Sequence, residues 1–401
     1  MQREHVLYIT RNGLLEPLGQ SQVFSYLKGL SQKYAVSLIT FEKPEDAAVV
    51  AAFQRVEGEC RDHGIRWMPQ RFHYRPKLIA PAWSMIVFLF LCLREVKQGK
   101  VSIIHARSYI PAAVALVVYK LTGTPFIFDM RALWPEELIT AGRLKRGGLI
   151  HRILVRIERA CLMHAAAVVS LTDAAVAYLK KTYPEELQFQ RIAVIPTCAD
   201  LDRFVPADQN SDEKVFSCVG TVLSGWFLID WLAAFFHVVA RTDPDARFEI
   251  ITRDDPDVVR QKLSGDSAFQ NRIKVFGLPS DQVHAAVQQH YASTMFFTPG
   301  VSKLGSSPTR MAEILGCGLP VVANDGVGDV AAIVQRYQVG VVVEGNSQTE
   351  METAYSSLVE LIKDPELPLR CRKAAEEVFS LESGTRAYDQ LYQDILGERT
   401  A

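Results

Sequence analysis

Residues 302–324 read Ser302-Lys303-Leu304-Gly305-Ser306-Ser307-Pro308-Thr309-Arg310-Met311-Ala312-Glu313-Ile314-Leu315-Gly316-Cys317-Gly318-Leu319-Pro320-Val321-Val322-Ala323-Asn324. An apolar run at 295–297, which reads as a strand, precedes them, so the loop leaves a strand C-terminus. Ser307 suits an N-cap and Pro308 the first helical position. Met311, Ile314 and Leu315 recur at helical spacing and give the helix an inward face. Gly318 and then Pro320 stop it, and 321–324 resume a strand. A strand, a helix and a second strand in so short a span imply a parallel crossover.

The same alternation extends in both directions. Upstream of residue 200, the short β-rich runs HVLYIT, AVSLIT, VSIIHA, PFIFDM, AAVVSLT and IAVIP are separated by longer helical segments. A second series begins at KVFSCVGTV and continues through RFEIIT, RIKVFGL, STMFFTP, LPVVAND and VGVVVEG. Strands alternating with helices make a parallel sheet covered on both faces. The fold class is therefore α/β, with two doubly wound, Rossmann-like domains spanning 1–205 and 206–382. A last helix, about 383–401, is expected to pack back on the first. The polar stretch from Asp200 to Asn210 reads as the linker, and the cleft between the domains as the expected active site.

Composition narrows the function. The 401 residues suit two or three domains of roughly 150 residues each. A net charge of −1 provides no bulk basic field for nucleic acid. The seven cysteines are scattered, without a C-x-x-C pair, and fit a reducing, cytoplasmic setting better than a disulfide scaffold. The N-terminus has no signal-like apolar stretch, which argues against an exported sugar-binding protein. The longest apolar stretch, between Lys77 and Arg94, falls short of the ~20 residues that span a bilayer. It reads either as a helix packed on a sheet or as a membrane-surface element. The first turn, Arg11-Asn12-Gly13-Leu14-Leu15-Glu16-Pro17-Leu18-Gly19, is no dinucleotide fingerprint, and no phosphate-binding P-loop motif occurs.

A helix start with free N–H groups, a hydroxyl cap and the cations Lys303 and Arg310 makes an anion site that suits a diphosphate. Glu313, further along the helix, can face the same cleft and suits vicinal sugar hydroxyls. The same residues also describe a solvated capped helix with an ordinary surface glutamate.

This stretch resembles the nucleotide-sugar site of family-4 glycosyltransferases, retaining enzymes of the GT-B fold, and its Ser-Lys-x-x-Ser-Ser-Pro-Thr-Arg pattern resembles a bacterial polysaccharide-synthesis branch. That family carries a Glu, seven residues, a second Glu, and a short helix ending in G-L-P. Glu313 matches the second Glu, which implies a hold on the donor ribose; the first would fall at Gly305 and is missing. Further matches follow in order. Gly13 to Gly19 occupy the glycine-rich turn near donor phosphate or acceptor. His105-Ala106-Arg107 end a strand facing the cleft. The run Phe128-Asp129-Met130-Arg131-Ala132-Leu133-Trp134-Pro135-Glu136 resembles the segment ending in L-W-P-E. Ile195-Pro196-Thr197-Cys198-Ala199-Asp200 resembles the run that closes the first domain, and Gly277 and Leu278 stand where backbone meets the base. After Val219-Gly220 the family commonly has an Arg and then a Lys; here Thr221 and Ser224-Gly225-Trp226 stand instead, leaving Lys303 and Arg310 as substitutes.

The resemblance implies a glycosyltransferase that takes a UDP- or GDP-linked sugar and a glycan or lipid-linked acceptor, retaining and without metal or other cofactor. Donor binding is expected from Glu313, Lys303, Arg310, Ser307, Thr309, Gly277, Leu278 and Gly19. Acceptor binding is expected from Gly13, Arg107 and Glu136. Catalysis is expected from Arg131, Asp129 and His105. His105 and Arg107 read equally as strand-end structural residues, and Glu136 as solvated. A GT-B epimerase or hydrolase, or a sugar-nucleotide sensor without turnover, would carry the same donor half. Six basic residues from Arg143 to Arg159 stand beside an apolar stripe with Glu158 alone opposing them. They suit either a docked helix with a basic solvent face or a peripheral contact with anionic lipid.

Overall fold

The computed structural model describes residues 3–75, 79–99, 101–207 and 213–398. The chain forms two compact units, one of residues up to Pro196 together with those from Leu381 onward, the other from Thr197 to Ser380. The sequence had suggested a change at 205/206. The described part of that stretch belongs to the second unit instead, because Ala199, Leu201 and Phe204 are buried in its core. A Cβ on Gly316 would stand 2.9 Å from both the Leu201 side chain and the Phe204 carbonyl, so the helix packs directly on this segment. Residues 208–212 lie outside the described ones.

The first unit holds seven strands: β1 (His5–Ile9), β2 (Ala35–Glu42), β3 (Ile65–Arg71), β4 (Ile103–Arg107), β5 (Phe126–Asp129), β6 (Ala167–Ser170) and β7 (Ile192–Val194). All are parallel, in the order β3-β2-β1-β4-β5-β6-β7. Six match the β-rich runs of the sequence; β3, reading IRWMPQR, was missed. Pro69 and the polar residues around it disguise it, and they are tolerated because β3 is an edge strand paired only to β2. The chain builds outward through β2 and β3, then crosses back to β4 on the other side of β1. Right-handed crossovers therefore place the later helices, Ile79–Gly99, Tyr109–Thr122 and Leu149–His164, on the opposite face from the early ones. The closing helix Leu381–Gly397 packs beside Ser25–Leu30 and buries Tyr388 and Tyr392.

The second unit repeats the pattern with six parallel strands: β8 (Val215–Val219), β9 (Arg247–Ile251), β10 (Ile273–Phe276), β11 (Ala292–Met295), β12 (Val321–Asn324) and β13 (Gly340–Val343). Their order is β10-β9-β8-β11-β12-β13. One core gathers Phe216, Phe235, Phe236 and Phe248; the other gathers Met311, Ile314, Leu315 and Phe379. The inward face expected of residues 311–315 is fully buried.

One local expectation fails. The helix runs Thr309–Gly316 with Pro308 as its N-cap and no side-chain cap bond. Ser307 is not the cap: its Oγ accepts from the Thr197 backbone N–H at 3.3 Å and lies 3.1 Å from Thr197 Oγ1, which reaches the Ser307 carbonyl at 2.9 Å. A cap and a long-range tie compete for one hydroxyl, and the tie wins.

Candidate functional site

In each sheet the direction of building reverses between two neighbouring strands, β1/β4 in the first unit and β8/β11 in the second. Loops leaving the carboxyl ends of such neighbours part to either side and open a crevice, the usual ligand site of this sheet type.

In the second unit these loops are tied together. Leu228 N–H donates to the Phe296 carbonyl at 2.9 Å, and Thr298 N–H to the Trp226 carbonyl at 3.0 Å. The buried Asn324 accepts from Phe297 N–H at 2.8 Å and donates to the Phe297 carbonyl at 2.9 Å, fixing the turn after β11. Gly220 adopts φ 117°, a conformation that favours glycine. A Cβ there would stand 3.7 Å from Arg310 Nε, so the Arg310 guanidinium covers this turn. Lys303 Nζ lies over the Trp226 ring, 3.9 Å from its centroid. Two cations from the β11 side thus meet the β8 turn that lacks them.

Arg310 also donates to Glu313 Oε2 at 2.5 Å, one turn along the helix. Burial pushes the Glu313 carboxyl above its ordinary range, and Arg310 draws it partly back. The expected clamp and the expected ribose ligand are therefore one ion pair. Ser307 and Thr309 lie beside them at the helix start. Gly305 is buried in the preceding turn, where the family's first Glu would stand. Gly277 and Leu278 follow the edge strand β10, two strands from β8; a Cβ on Gly277 would stand 3.1 Å from the Thr252 carbonyl oxygen, and Leu278 packs against the core that holds Met311 and Leu315.

Each unit holds its first loop with a carboxylate from the second strand's end. Glu42 accepts from Leu14 N–H at 2.9 Å and Leu15 N–H at 3.1 Å, with Thr40 Oγ1 donating at 2.5 Å. Asp254 accepts from Val222 N–H at 2.6 Å and Leu223 N–H at 3.0 Å. These amides serve an internal anion. Gly13 and Gly19, expected near acceptor and donor, are both buried, and a Cβ on Gly19 would fall 1.9 Å from the Gly13 carbonyl oxygen. The glycines close the turn on itself.

At the β4/β5 ends of the first unit lies a buried charged network. Asp129 is fully buried and receives His105 Nε2 at 3.2 Å and Tyr388 OH at 3.2 Å. Arg131 Nη1 lies 3.4 Å from Asp129 Oδ1, and Arg107 Nη1 lies 3.6 Å from Oδ2. Burial alone would push the Asp129 carboxyl up; Arg131, His105 and Arg107 outweigh it and hold the group below the usual carboxylate range. His105 is pulled down by burial, and Asp129 opposes this. The carboxylate accepts only, so Nε2 carries the ring proton and Nδ1 accepts from Tyr392 OH at 2.7 Å. Burial pushes Tyr8 up to about 12.

The sequence assigned catalysis to Arg131, Asp129 and His105. In the structure neither His105 nor Asp129 is exposed, and all the polar atoms of both side chains are engaged with one another, with Arg131 and with the two tyrosines. Glu136, expected on the acceptor side, has a partner within the chain. It is buried and takes a two-pronged contact from Arg146, 3.0 Å from Nη1 and 2.5 Å from Nη2. Arg131 keeps an exposed edge, whereas Arg107 is almost wholly buried. Sequence reasoning missed Glu42, Asp254, Tyr388 and Tyr392. A repeated signal was present for the first two, Thr40-Phe41-Glu42 and Thr252-Arg253-Asp254, each at the end of the second strand.

Two such sheets, each with its crevice at the switch point, define the GT-B class of glycosyltransferases. The sequence matches the family models Glycosyltransferase Family 4 over residues 20–203 and Glycosyl transferases group 1 over residues 204–378. The chain belongs to this glycosyltransferase family and is a glycosyltransferase. A search of curated proteins finds no match. Among solved structures it is similar to a glycosyltransferase from Rickettsia africae (15% identity, TM-score 0.71, 99% of each chain covered). It is also similar to sucrose-phosphate synthase from Thermosynechococcus elongatus (15% identity, TM-score 0.70, 99% of this chain and 100% of that one). Anabaena HepE in complex with UDP is a third (13% identity, TM-score 0.69, 98% of this chain and 100% of that one).

Proposed function

We propose that this glycosyltransferase takes its sugar from a UDP- or GDP-linked donor held in the second unit. The sugar passes to a glycan or lipid-linked glycan held by the first unit, with retention of configuration and without a metal. The observation that carries this reading is the meeting of Lys303, Arg310 and Glu313 with the Gly220 turn. A leaving diphosphate gains negative charge in the transition state, and cations already fixed in place stabilise it without reorganising. Glu313 supplies acceptor oxygens for ribose hydroxyls. The HepE structures, which hold UDP, UDP with glucose, and UDP-glucose, support a nucleotide-linked donor.

Calorimetry on Lys303→Ala tests the clamp. Affinity for UDP or GDP is expected to fall about fivefold, as for a charge-assisted bond partly exposed to water, while affinity for the nucleoside is unchanged. Equal losses for both ligands would place the phosphates elsewhere. Donor turnover that no acceptor accelerates would favour an epimerase or hydrolase over a transferase, and binding without turnover a sensor.

The same proposal places the enzyme in the cytoplasm, peripheral to an anionic membrane face; the seven cysteines, all buried and none in a disulfide, suit a reducing compartment. Among the described residues no helix is long and apolar enough to cross a membrane. Leu149, Ile150 and Ile153 are exposed on one helix, and Trp83, Ile86 and Phe90 on another, both packed against Tyr109–Thr122. Arg146 and Arg159 are spent on Glu136 and Glu186, and Glu158 is buried against Tyr109 and Tyr183. Arg143, Lys145, Arg152 and Arg156 remain exposed. Each cation near such a surface contributes about 1 kcal/mol, so Lys145→Gln should weaken partition onto anionic vesicles roughly fivefold. No flotation of the wild type with those vesicles would remove the membrane contact.

A further inference from the structure

The Asp129 network holds more positive charge than its own residues neutralise. Two guanidinium groups, Arg107 and Arg131, share one carboxylate. Among the described residues Asp129 is the only acidic group within ion-pair distance of either. The other groups packed around them are Tyr8, Tyr26, His105, Tyr388 and Tyr392, none of which supplies an anion. Arg107 is only 3% exposed, yet its Nε and Nη1 have no hydrogen-bond partner, and neither has Arg131 Nε. Two buried cations that share one counter-ion and keep unmet donors are costly. Such a cost is tolerated where a ligand removes it.

We propose that Arg107 and Arg131 form the binding site for a phosphoryl group carried by the acceptor. Both stand at carboxyl ends of central strands, beside the switch point where ligands enter. Guanidinium groups present paired donors that match phosphate oxygens. Arg131, with its exposed edge, receives the anion, and Arg107 behind it completes the contact. Asp129 keeps both forks aimed, with His105, Tyr388 and Tyr392 fixing Asp129 in turn. The surplus charge selects an acceptor bearing phosphate over a neutral glycan. This inference rests on the first unit being the acceptor side.

The probe is inorganic pyrophosphate, titrated calorimetrically into protein saturated with UDP so that the donor phosphates are already occupied. Wild type is expected to bind it. Arg107→Gln should weaken binding about tenfold or more, and Arg131→Gln similarly. Because Arg107→Gln alters a buried network, Arg107→Lys, which keeps the charge and loses the fork, provides a second variant with a smaller but definite loss. An isoprenoid diphosphate in neutral micelles and a soluble hexose phosphate then compete against pyrophosphate. Displacement by the first assigns a lipid-linked acceptor, and by the second a water-soluble one. No pyrophosphate binding, or equal affinity in wild type and all three variants, overturns the site. Arginine-dependent binding without any sugar transfer would leave the anion site standing and remove the acceptor reading. Transfer that pyrophosphate does not inhibit would do the reverse.

Discussion

Asp129→Ala is expected to destabilise the first unit by about 3–5 kcal/mol, because removing one partner of a buried ion pair leaves the other charge uncompensated. Here it leaves two. Arg107 and Arg131 would face each other in a buried space with no carboxylate between them, and His105 and Tyr388 would lose their acceptor. Asp129→Asn retains the shape and one acceptor oxygen but not the charge, so it should show most of the loss. Hydrogen exchange of peptides spanning β4 and β5 isolates this unit from the other, which a whole-chain melting curve does not. The depressed Asp129 carboxyl also sets a pH window. Its contribution is complete above the ordinary carboxylate range and is lost only as pH falls well below it. A loss under 1 kcal/mol in Asp129→Ala would show that the guanidiniums find other partners and that the network is not held by charge.

Local pattern carried the sequence reading where one strand or one helix decides the outcome. The β-branched runs of the second unit all became strands, since a strand buried on both faces is apolar along its length. β3 escaped because an edge strand is free to be polar and to hold Pro69. Glu313 and Arg310 were legible because they share one helix, so their spacing is their geometry.

The Asp129 network was not legible in the same way. Its tyrosines enter from Leu381–Gly397, more than 250 residues along the chain, and spacing says nothing about such contacts. Tyr388 and Tyr392 stand one turn apart, a pattern that ordinary core packing also produces. Ser307 shows the other failure. The residues Ser-Pro-Thr fit a helix start by local rule, but the hydroxyl had a better partner in Thr197, 110 residues away. Hydroxyls and carboxylates have more than one use, and only the fold selects among them. Glu42 and Asp254 make the same point, since each acidic residue satisfies loop amides that a glycine-rich turn would otherwise offer to phosphate.

Glu313→Gln is the other large effect expected, a loss of roughly 1.5–3 kcal/mol in affinity for the donor nucleotide, the range of a hydrogen bond to a charged group. The amide keeps the size of the side chain, so the second unit should fold unchanged, but one of its oxygens becomes a donor and its charge is gone. Arg310 would then lose the partner that holds it over the Gly220 turn. The variant therefore weakens the ribose contact directly and the phosphate contact through Arg310. Comparing ligands separates the two. A nucleoside should lose only the ribose share, and a nucleoside diphosphate should lose both. The raised Glu313 carboxyl adds a pH dependence in wild type. Since the acceptor form is the ionised one, affinity should decline on acidification through a pH above the ordinary glutamate value of 4.5, and Glu313→Gln should show no such decline. Calorimetry across that range with folded variant protein decides the matter. Unchanged affinity in Glu313→Gln would mean that neither Glu313 nor its hold on Arg310 serves the donor, and a loss confined to the nucleoside diphosphate, with an identical pH profile in both proteins, would mean that Glu313 serves only to anchor Arg310.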